Sequence, residues 1–311
     1  MNVRFLSYYL RTQAHQDWMQ ALCSFGATMT SLNQDIVARI RFPIPSHRVQ
    51  DKIVGVLSAY DDLIANNQRR IALLESMAEE IYREWFVRLR FPGRSASAQS
   101  DRLPGWESKP IEELASLIKR GVSPAYDDSS SSLVINQKCI RDGRLSMSEA
   151  RPHSTEVAKE KVARTGDVLI NSTGVGTLGR SAVFDLSDEN VTCDSHVTIV
   201  RPKDASAEGE FLAHTIHLMQ PYFESMASGS TGQAELGRDF IAKTKISVPP
   251  RDLLVKFAGV VAPMRKQVRT LLGASGRLAT MRDSLLPRLI SGKLRVDHLD
   301  IRFPPSMQDT A

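Results

Sequence analysis

The sequence predicts an α/β (α+β) protein: a domain with a mixed, strongly curved sheet, joined to a long antiparallel two-helix coiled coil. Three observations support this prediction. Two long stretches have helical apolar periodicity, a sequence repeat relates them, and short strand-like segments lie between them. With 311 residues, the chain is long enough for about two domains.

The first long stretch spans 44–91 and is predicted to be one helix. Its apolar residues recur at steps of three and four, which places them on one helix face. No proline lies between Ser46 and Phe91, so the helix can extend for roughly 60 Å. A helix of this length needs a partner along it. The apolar stripe consists of Ile53, Val56, Leu57, Tyr60, Leu63, Ile64, Ile71, Leu74, Met77, Ala78, Ile81 and Trp85.

An internal repeat supplies that partner. The region around the start of the first helix recurs 204 residues later, so that Asp35 matches Asp239 and Pro45 matches Pro249. Phe5-Leu6 also matches Phe211-Leu212. The repeat predicts a second long helix at 251–295 that pairs antiparallel with the first, with Pro263 and Pro287 expected to break or kink it. Two unrelated amphipathic helices are the alternative. The other identical pairs are Leu32 and Leu236, Ala38 and Ala242, Lys52 and Lys256, Gly55 and Gly259, and Val56 and Val260.

The flanking segments are predicted from the same repeat and from composition. Residues 1–43 are interpreted as the remnant tail of a first domain, with two short helices and a strand at 40–44. A free-standing helical N-terminus is the alternative. Small and polar residues with proline and glycine predict a linker at 92–102 and a flexible tail at 296–311, disordered from 304.

The central domain is predicted to span 103–250. A helix is expected at 111–119, followed by strand-like runs and turns. A second helix is expected at about 209–227, a helical piece at 235–242 and a closing strand at 244–248. The strand-like runs are 133–140, 166–170, 181–184, 191–193 and 197–200.

Composition excludes several classes of protein. No apolar run approaches about 18 residues and no signal-peptide pattern is present, so a cytoplasmic protein is expected. Cys23, Cys139 and Cys193 are too far apart for a zinc motif and are expected to be buried thiols. The net charge of +5 is uneven: residues 101–250 carry 17 Lys and Arg against 21 Asp and Glu, a net of −4, so the remainder carries +9. Nucleic-acid binding by the central domain would therefore need local clusters.

The run at 171–180, Asn-Ser-Thr-Gly-Val-Gly-Thr-Leu-Gly-Arg, is the most distinctive motif in the central domain. It lacks the Lys-Ser/Thr of a P-loop and the strand-to-helix context of a dinucleotide site. A hairpin turn and a loop that meets DNA remain the two interpretations. Ser195 and His196 are neighbours, so as strand residues they face opposite ways and cannot act as a nucleophile and its base. His196 is expected to be a core or groove histidine.

Six segments in a fixed order carry a family resemblance. Together with the repeat, they closely resemble the specificity subunit of type I restriction–modification enzymes, in a truncated or single-recognition-domain form. The segments are Leu103-Pro104-Gly105-Trp106, Gly166-Asp167-Val168-Leu169-Ile170, Gly176-Thr177-Leu178-Gly179-Arg180, Gly229-Ser230-Thr231-Gly232-Gln233, Val248-Pro249-Pro250 and Leu289-Ile290-Ser291-Gly292.

The resemblance implies a non-catalytic subunit without a cofactor or a metal. Residues 103–250 would be a target-recognition domain that reads one half of a split site in double-stranded DNA. The two conserved helices would dock methyltransferase subunits and, through them, the restriction subunit. Because the chain holds only one complete domain of this kind, a second specificity chain or a homodimer is a further expected partner.

Turn positions and hydrogen-bonding chemistry predict the DNA contacts, with weight added by the resemblance. One groove is expected to be lined by Lys119, Arg120, Lys138, Thr177, Arg180, Ser230, Thr231 and Gln233. Two other functions are alternatives to this one. One is a methyltransferase or nuclease with unfamiliar motifs, and the other is an inactive or purely structural coiled-coil adaptor left from a split specificity gene.

Overall fold

The computed structural model describes residues 1–22, 24–25, 30–31, 34–94, 104–186, 190–226 and 235–308. The chain forms two compact units. The first consists of Met1–Leu73 and Gln267–Ala311, and the second of Leu74–Lys266. Each unit has its own hydrophobic core.

The chain begins with short elements and the first long helix. These are α1 (Val3–Leu10), α2 (Gln13–Leu22), β1 (Ser24–Phe25), β2 (Thr30–Ser31), α3 (Gln34–Ala38) and α4 (His47–Tyr82). One turn of π-helix, Arg83–Val87, extends α4. The two short N-terminal helices agree with the prediction. Residues 40–46 contain no strand, because no neighbouring strand pairs with them.

Eleven more strands and five more helices follow among the described residues. They are β3 (Glu107–Pro110), β4 (Ala115–Arg120), β5 (Leu133–Ile135), β6 (Ile140–Arg141), β7 (Arg144–Leu145), β8 (Arg151–Pro152), β9 (Val168–Asn171), β10 (Ser181–Val183), β11 (Val191–Cys193), β12 (Val197–Pro202), α5 (Ala207–Leu218), α6 (Gln220–Met226), α7 (Arg238–Lys243), β13 (Lys245–Val248), α8 (Arg251–Ile290) and α9 (Pro305–Gln308).

The second long helix, α8, is continuous through Pro263 and Pro287, so neither proline breaks it. A proline has no N–H, so Pro263 cannot donate to the carbonyl of Gly259. Both residues are exposed, so water can satisfy that carbonyl. The helix therefore tolerates the loss of this hydrogen bond at Pro263.

In the first unit, α4 and α8 pair antiparallel, as predicted. Asn67 Nδ2 donates to Ser275 Oγ at 3.2 Å, and Arg282 Nη1 contacts Asp61 Oδ1 at 2.5 Å. As the residue number increases along α4, the number of the contacting residue on α8 decreases, so the two helices are antiparallel. The stripe residues Leu57 and Ile71 are buried, and α1 adds Phe5 to the core of this unit.

The segment from Val296 to Gln308 is not the flexible tail that was predicted. Val296 is buried, and Ile301 packs against the core of the first unit. Lys52 Nζ donates to the carbonyls of Asp297 at 2.9 Å and Leu299 at 2.5 Å. Apolar residues interleaved with the polar ones provide this docking, although composition alone suggested disorder.

The second unit buries an aromatic cluster between the end of α4, the start of α8 and α5. Phe257 lies against Tyr82, Trp85 and Phe86, with ring centroids 5.9, 6.0 and 4.9 Å away. His214 stacks on Tyr82 at 5.8 Å, and burial lowers the pKa of His214 to about 4. The histidine is therefore neutral at physiological pH.

The sheets of the second unit are mixed and short. The largest has the order β10-β9-β12-β4, with antiparallel neighbours, and a second has the order β11-β5-β8 with β11 parallel to β5. Strand β13 closes antiparallel on β3. The predicted strands at 181–184, 191–193 and 197–200 are present.

Three element predictions for the second unit need correction. The helix expected at 111–119 is a 3-10 turn, Ile111–Glu113, followed by β4, which pairs with β12 over five residues. The strand expected at 133–140 is interrupted by a 3-10 turn at Gln137–Cys139. The helix expected at 209–227 divides into α5 and α6 at Met219.

Candidate DNA interface

The candidate site is built on one end of the four-stranded sheet. Strand β9 ends at Asn171, and the loop 172–180 returns the chain to β10. This loop is closed at its base, because Gly179 N donates to Asn171 O at 2.8 Å and Asn171 N donates to Arg180 O at 2.9 Å. It is therefore a hairpin loop without a following helix, which agrees with the rejection of a dinucleotide site.

Three side chains connect the loop to its neighbours, and we call Gln137, Thr173 and His196 the polar triplet. Gln137 Nε2 donates to the carbonyl of Thr173 at 3.0 Å and also contacts Thr173 Oγ1. Thr173 Oγ1 lies 2.8 Å from His196 Nδ1. The triplet thus spans the 3-10 turn after β5, the β9–β10 loop and the turn before β12.

The turn that carries His196 is held by Asp194. The Asp194 carboxylate accepts a hydrogen bond from His196 N at 2.9 Å. Burial raises the pKa of Asp194. Ser195 and His196 lie in the turn between β11 and β12 and not in a strand as expected. Among the described residues no group of three or more His, Cys, Asp or Glu side chains could hold a metal ion.

Arg120 braces the same end of the sheet. Its guanidinium donates to the carbonyl of Leu236 at 2.9 Å and forms an ion pair with Glu235 at 2.9 Å. Leu236 N donates to Ser172 O at 2.8 Å, so this contact also ties the β9–β10 loop to the segment before α7.

Lys119 lies apart from this group, so the structure does not bring it together with Arg120. It precedes Arg120 on β4, and successive side chains of a strand point to opposite faces. Lys119 Nζ lies 2.5 Å from Glu160 Oε1, on the side opposite to Arg120.

Lys138, Thr177 and Arg180 lie on the loops at the site. Lys138 is exposed and Arg180 is half-buried. Neither side chain has a hydrogen-bond or ion-pair partner among the described residues. The hydroxyl of Thr177 instead donates within its own loop, to the carbonyls of Thr173 and Gly174 at 3.2 Å each. Ser230, Thr231 and Gln233 lie outside the described residues.

The polar triplet was not predicted as a group. Thr173 belongs to the distinctive run at 171–180, and Gln137 precedes Lys138, but nothing in the sequence shows that they meet His196. A further buried polar group, Asn171 Oδ1, lacks a hydrogen-bond partner among the described residues. The amide, hydroxyl and imidazole groups at this end of the sheet are suited to hydrogen bonding with base edges.

The described part of the chain also shows the state of two cysteines and the character of the helices. Cys139 and Cys193 are buried free thiols, and burial raises the pKa of both. Cys23 lies outside the described residues. None of the described helices is both long enough and apolar enough to cross a membrane.

Comparison with known proteins identifies the family of this chain. The family model of the type I restriction modification DNA specificity domain matches residues 1–76 and 104–252. The chain is similar to the type I restriction enzyme MjaIX specificity subunit of Methanocaldococcus jannaschii, with 23% identity over 307 residues that cover 95% of this chain and 70% of the relative. The HindI specificity subunit of Haemophilus influenzae is 21% identical over 344 residues, with 87% and 72% covered.

A solved structure shares the fold. The type I restriction–modification S subunit of M. genitalium aligns with a TM-score of 0.57 and 17% identity, covering 93% of this chain and 73% of that one. The family match includes the polar triplet and the start of both long helices. The chain therefore belongs to the type I restriction–modification specificity family, whose members recognise DNA sequence.

Proposed function

We propose that this chain is the non-catalytic DNA-recognition and scaffold subunit of a type I restriction–modification complex. Residues 103–250 act as its target-recognition domain and read one half-site. Residues 1–43 are the remnant of a first such domain, and 92–102 is the linker. The observation that carries the proposal is the polar triplet, which sits beside Lys138 and Arg180 at one end of the sheet.

The two unpaired cations suit a DNA backbone. A Lys or Arg without an internal partner can neutralise a phosphate without first breaking an ion pair. Arg180 is half-buried, and its loop is closed at the base. The polar triplet beside it supplies groups that discriminate between bases. Phosphate contacts would set the register, and the triplet would then read sequence.

Replacing Arg180 with alanine is expected to weaken binding to all DNA sequences and to lower the salt slope by about one. Fluorescence anisotropy with half-site and unrelated duplexes at several salt concentrations measures both quantities. Lys119→Ala is the matched control, because it removes one positive charge on the opposite side of β4. Equal binding by Arg180→Ala, with an unchanged slope, would contradict the assignment.

The long helices, 44–91 and 251–295, are proposed to dock methyltransferase subunits and, through them, the restriction subunit. In the first unit the helix pair leaves four large apolar side chains exposed, which supports a docking role. These are Leu63 and Leu73 on α4 and Leu272 and Met281 on α8.

The isolated chain is expected to protect only one short half-site, with modest affinity. One recognition module buries less surface and makes fewer base contacts than two. Recognition of a split site would then require a second specificity chain or a homodimer, with its two recognition domains related by an approximate twofold axis. Sedimentation and footprinting, with and without DNA, measure this. A strict monomer that protects both halves of a bipartite site would refute the expectation.

A further inference from the structure

The first turns of α4 and α8 are related by the sequence repeat, and both present an apolar stripe inward. In each unit this stripe is buried against the local core. The matched inward residues are Ile53 and Phe257, Val54 and Ala258, and Leu57 and Val261. The outward residues are also matched: Lys52, Gly55 and Val56 correspond to Lys256, Gly259 and Val260. We call these two sets the first and second outward faces.

The first outward face is occupied by the C-terminal segment. Lys52 is buried and donates to the two carbonyls of Asp297 and Leu299. A Cβ on Gly55 would lie 2.9 Å from the ring of Phe303 and 3.4 Å from Ile301. The glycine is therefore required for the aromatic ring to approach the helix, and the lysine holds the turn at 296–299 that precedes the ring.

The second outward face is open. Lys256 and Gly259 are exposed, and a Cβ on Gly259 would meet no atom within 4 Å. Val255 and Val260 are 53% and 40% exposed. No described residue pairs with the Lys256 ammonium. Lys256 and Gly259, which correspond to Lys52 and Gly55, are thus uncovered. They lie beside the exposed Val255 and Val260 and beside the Gly259 carbonyl, which Pro263 cannot hydrogen-bond because it has no N–H.

The chain repeats the occupying motif but does not place it on the second outward face. Ile301-Arg302-Phe303-Pro304 is matched by Leu89-Arg90-Phe91-Pro92, which follows the first long helix. Leu89-Arg90-Phe91-Pro92 follows the first long helix directly. By contrast, ten residues separate the end of α8 at Ile290 from Ile301. Arg90 N donates to Glu84 O at 2.7 Å, and the Phe91 ring lies 6.3 Å from Trp106. Phe91 therefore contacts Trp106 and leaves Gly259 uncovered.

We propose that the second outward face binds a segment of a partner polypeptide in which a backbone turn precedes the chemistry aliphatic–Arg–aromatic–Pro. The Lys256 ammonium donates to two backbone carbonyls of that segment, the aromatic ring lies over Gly259, and Val260 packs beside it. The chemistry of this partner is inferred from the C-terminal segment that occupies the first outward face. The site does not include the exposed apolar residues that support methyltransferase docking, Leu63, Leu73, Leu272 and Met281, and it does not depend on DNA reading.

The test uses the full chain and a fluorescein-labelled peptide of residues 294–308. We expect saturable one-to-one binding by anisotropy. Gly259→Leu should weaken it at least about tenfold by filling the ring position, and Lys256→Ala should weaken it about tenfold by removing a charged hydrogen-bond donor. The peptide with Phe303→Ala should also bind at least about tenfold more weakly. Gly276→Leu is the matched control, because its Cβ also meets no atom within 4 Å.

Three results would overturn the proposal. The first is no binding up to about 1 mM peptide, the range of very weak association. The second is equal binding by the parent and Gly259→Leu, which would mean that the peptide exchanges with the chain's own segment on the first outward face. The third is a dimer of the parent chain that Gly259→Leu dissociates, which would assign the face to a second copy instead.

Discussion

Replacing Arg201 with alanine is expected to lower the free energy of unfolding of the second unit by about 3–5 kcal/mol. Arg201 Nε and Nη2 each lie 2.8 Å from a different oxygen of Asp167. The Asp167 side chain is only 1% exposed. The alanine variant would leave this buried carboxylate without its opposing charge.

The same arginine also holds the backbone beside the sheet. It donates to the carbonyls of Glu160 at 3.0 Å and Val162 at 2.8 Å. Chemical denaturation followed by tryptophan fluorescence, with hydrogen exchange to localise the loss, measures the effect. Lys119→Ala is the control, since its ion pair is exposed and its removal should change stability far less. Equal losses in both variants would show that burial of Asp167 does not set the cost.

Gly121→Ala is expected to damage both stability and DNA binding, because no space exists for a side chain at this position. A Cβ there would lie 1.9 Å from the carbonyl oxygen of Cys193 and 2.4 Å from that of Asp194. The backbone must therefore separate, at a cost of about 1–3 kcal/mol or more. The displaced atoms lead directly into the turn that carries His196.

A change at Gly121 should therefore disturb the polar triplet as well as the sheet. We expect half-site affinity to fall at least about tenfold, since each bidentate base contact is worth about 1–3 kcal/mol. Thermal denaturation and anisotropy on the same sample measure the two effects. Gly237→Ala is the control, because its Cβ would meet no atom within 4 Å. Parent-like affinity of a folded Gly121→Ala protein would show that this close approach does not position the triplet.

The repeat and the helical periodicity were sufficient to predict the two long helices and their antiparallel pairing. Both signals are one-dimensional: an apolar stripe needs a partner, and the repeat identifies a related stripe in the same chain. The contact between Asn67 and Ser275 confirms this pairing in the first unit. The glycines of the 171–180 run likewise predicted a turn, since Gly174, Gly176 and Gly179 all have positive φ.

Other features depended on contacts distant in sequence. Residues 115–120 have good helix formers, yet they form β4 because β12 supplies the hydrogen bonds of a ladder. The polar triplet joins residues from three separate turns, and neither their spacing nor their type indicates that they meet. The C-terminal segment was predicted to be flexible, but the bare surface at Gly55 admits Phe303.

The sequence by itself therefore determined the helix pair, the repeat and the family, because these follow from periodicity and from residue order. The tertiary structure decided which side of β4 each basic residue faces, which loops meet at the end of the sheet that carries the polar triplet, and which outward face is covered. Those outcomes depend on strand pairing and on the length of chain that follows each helix, and these act through space and leave no local pattern.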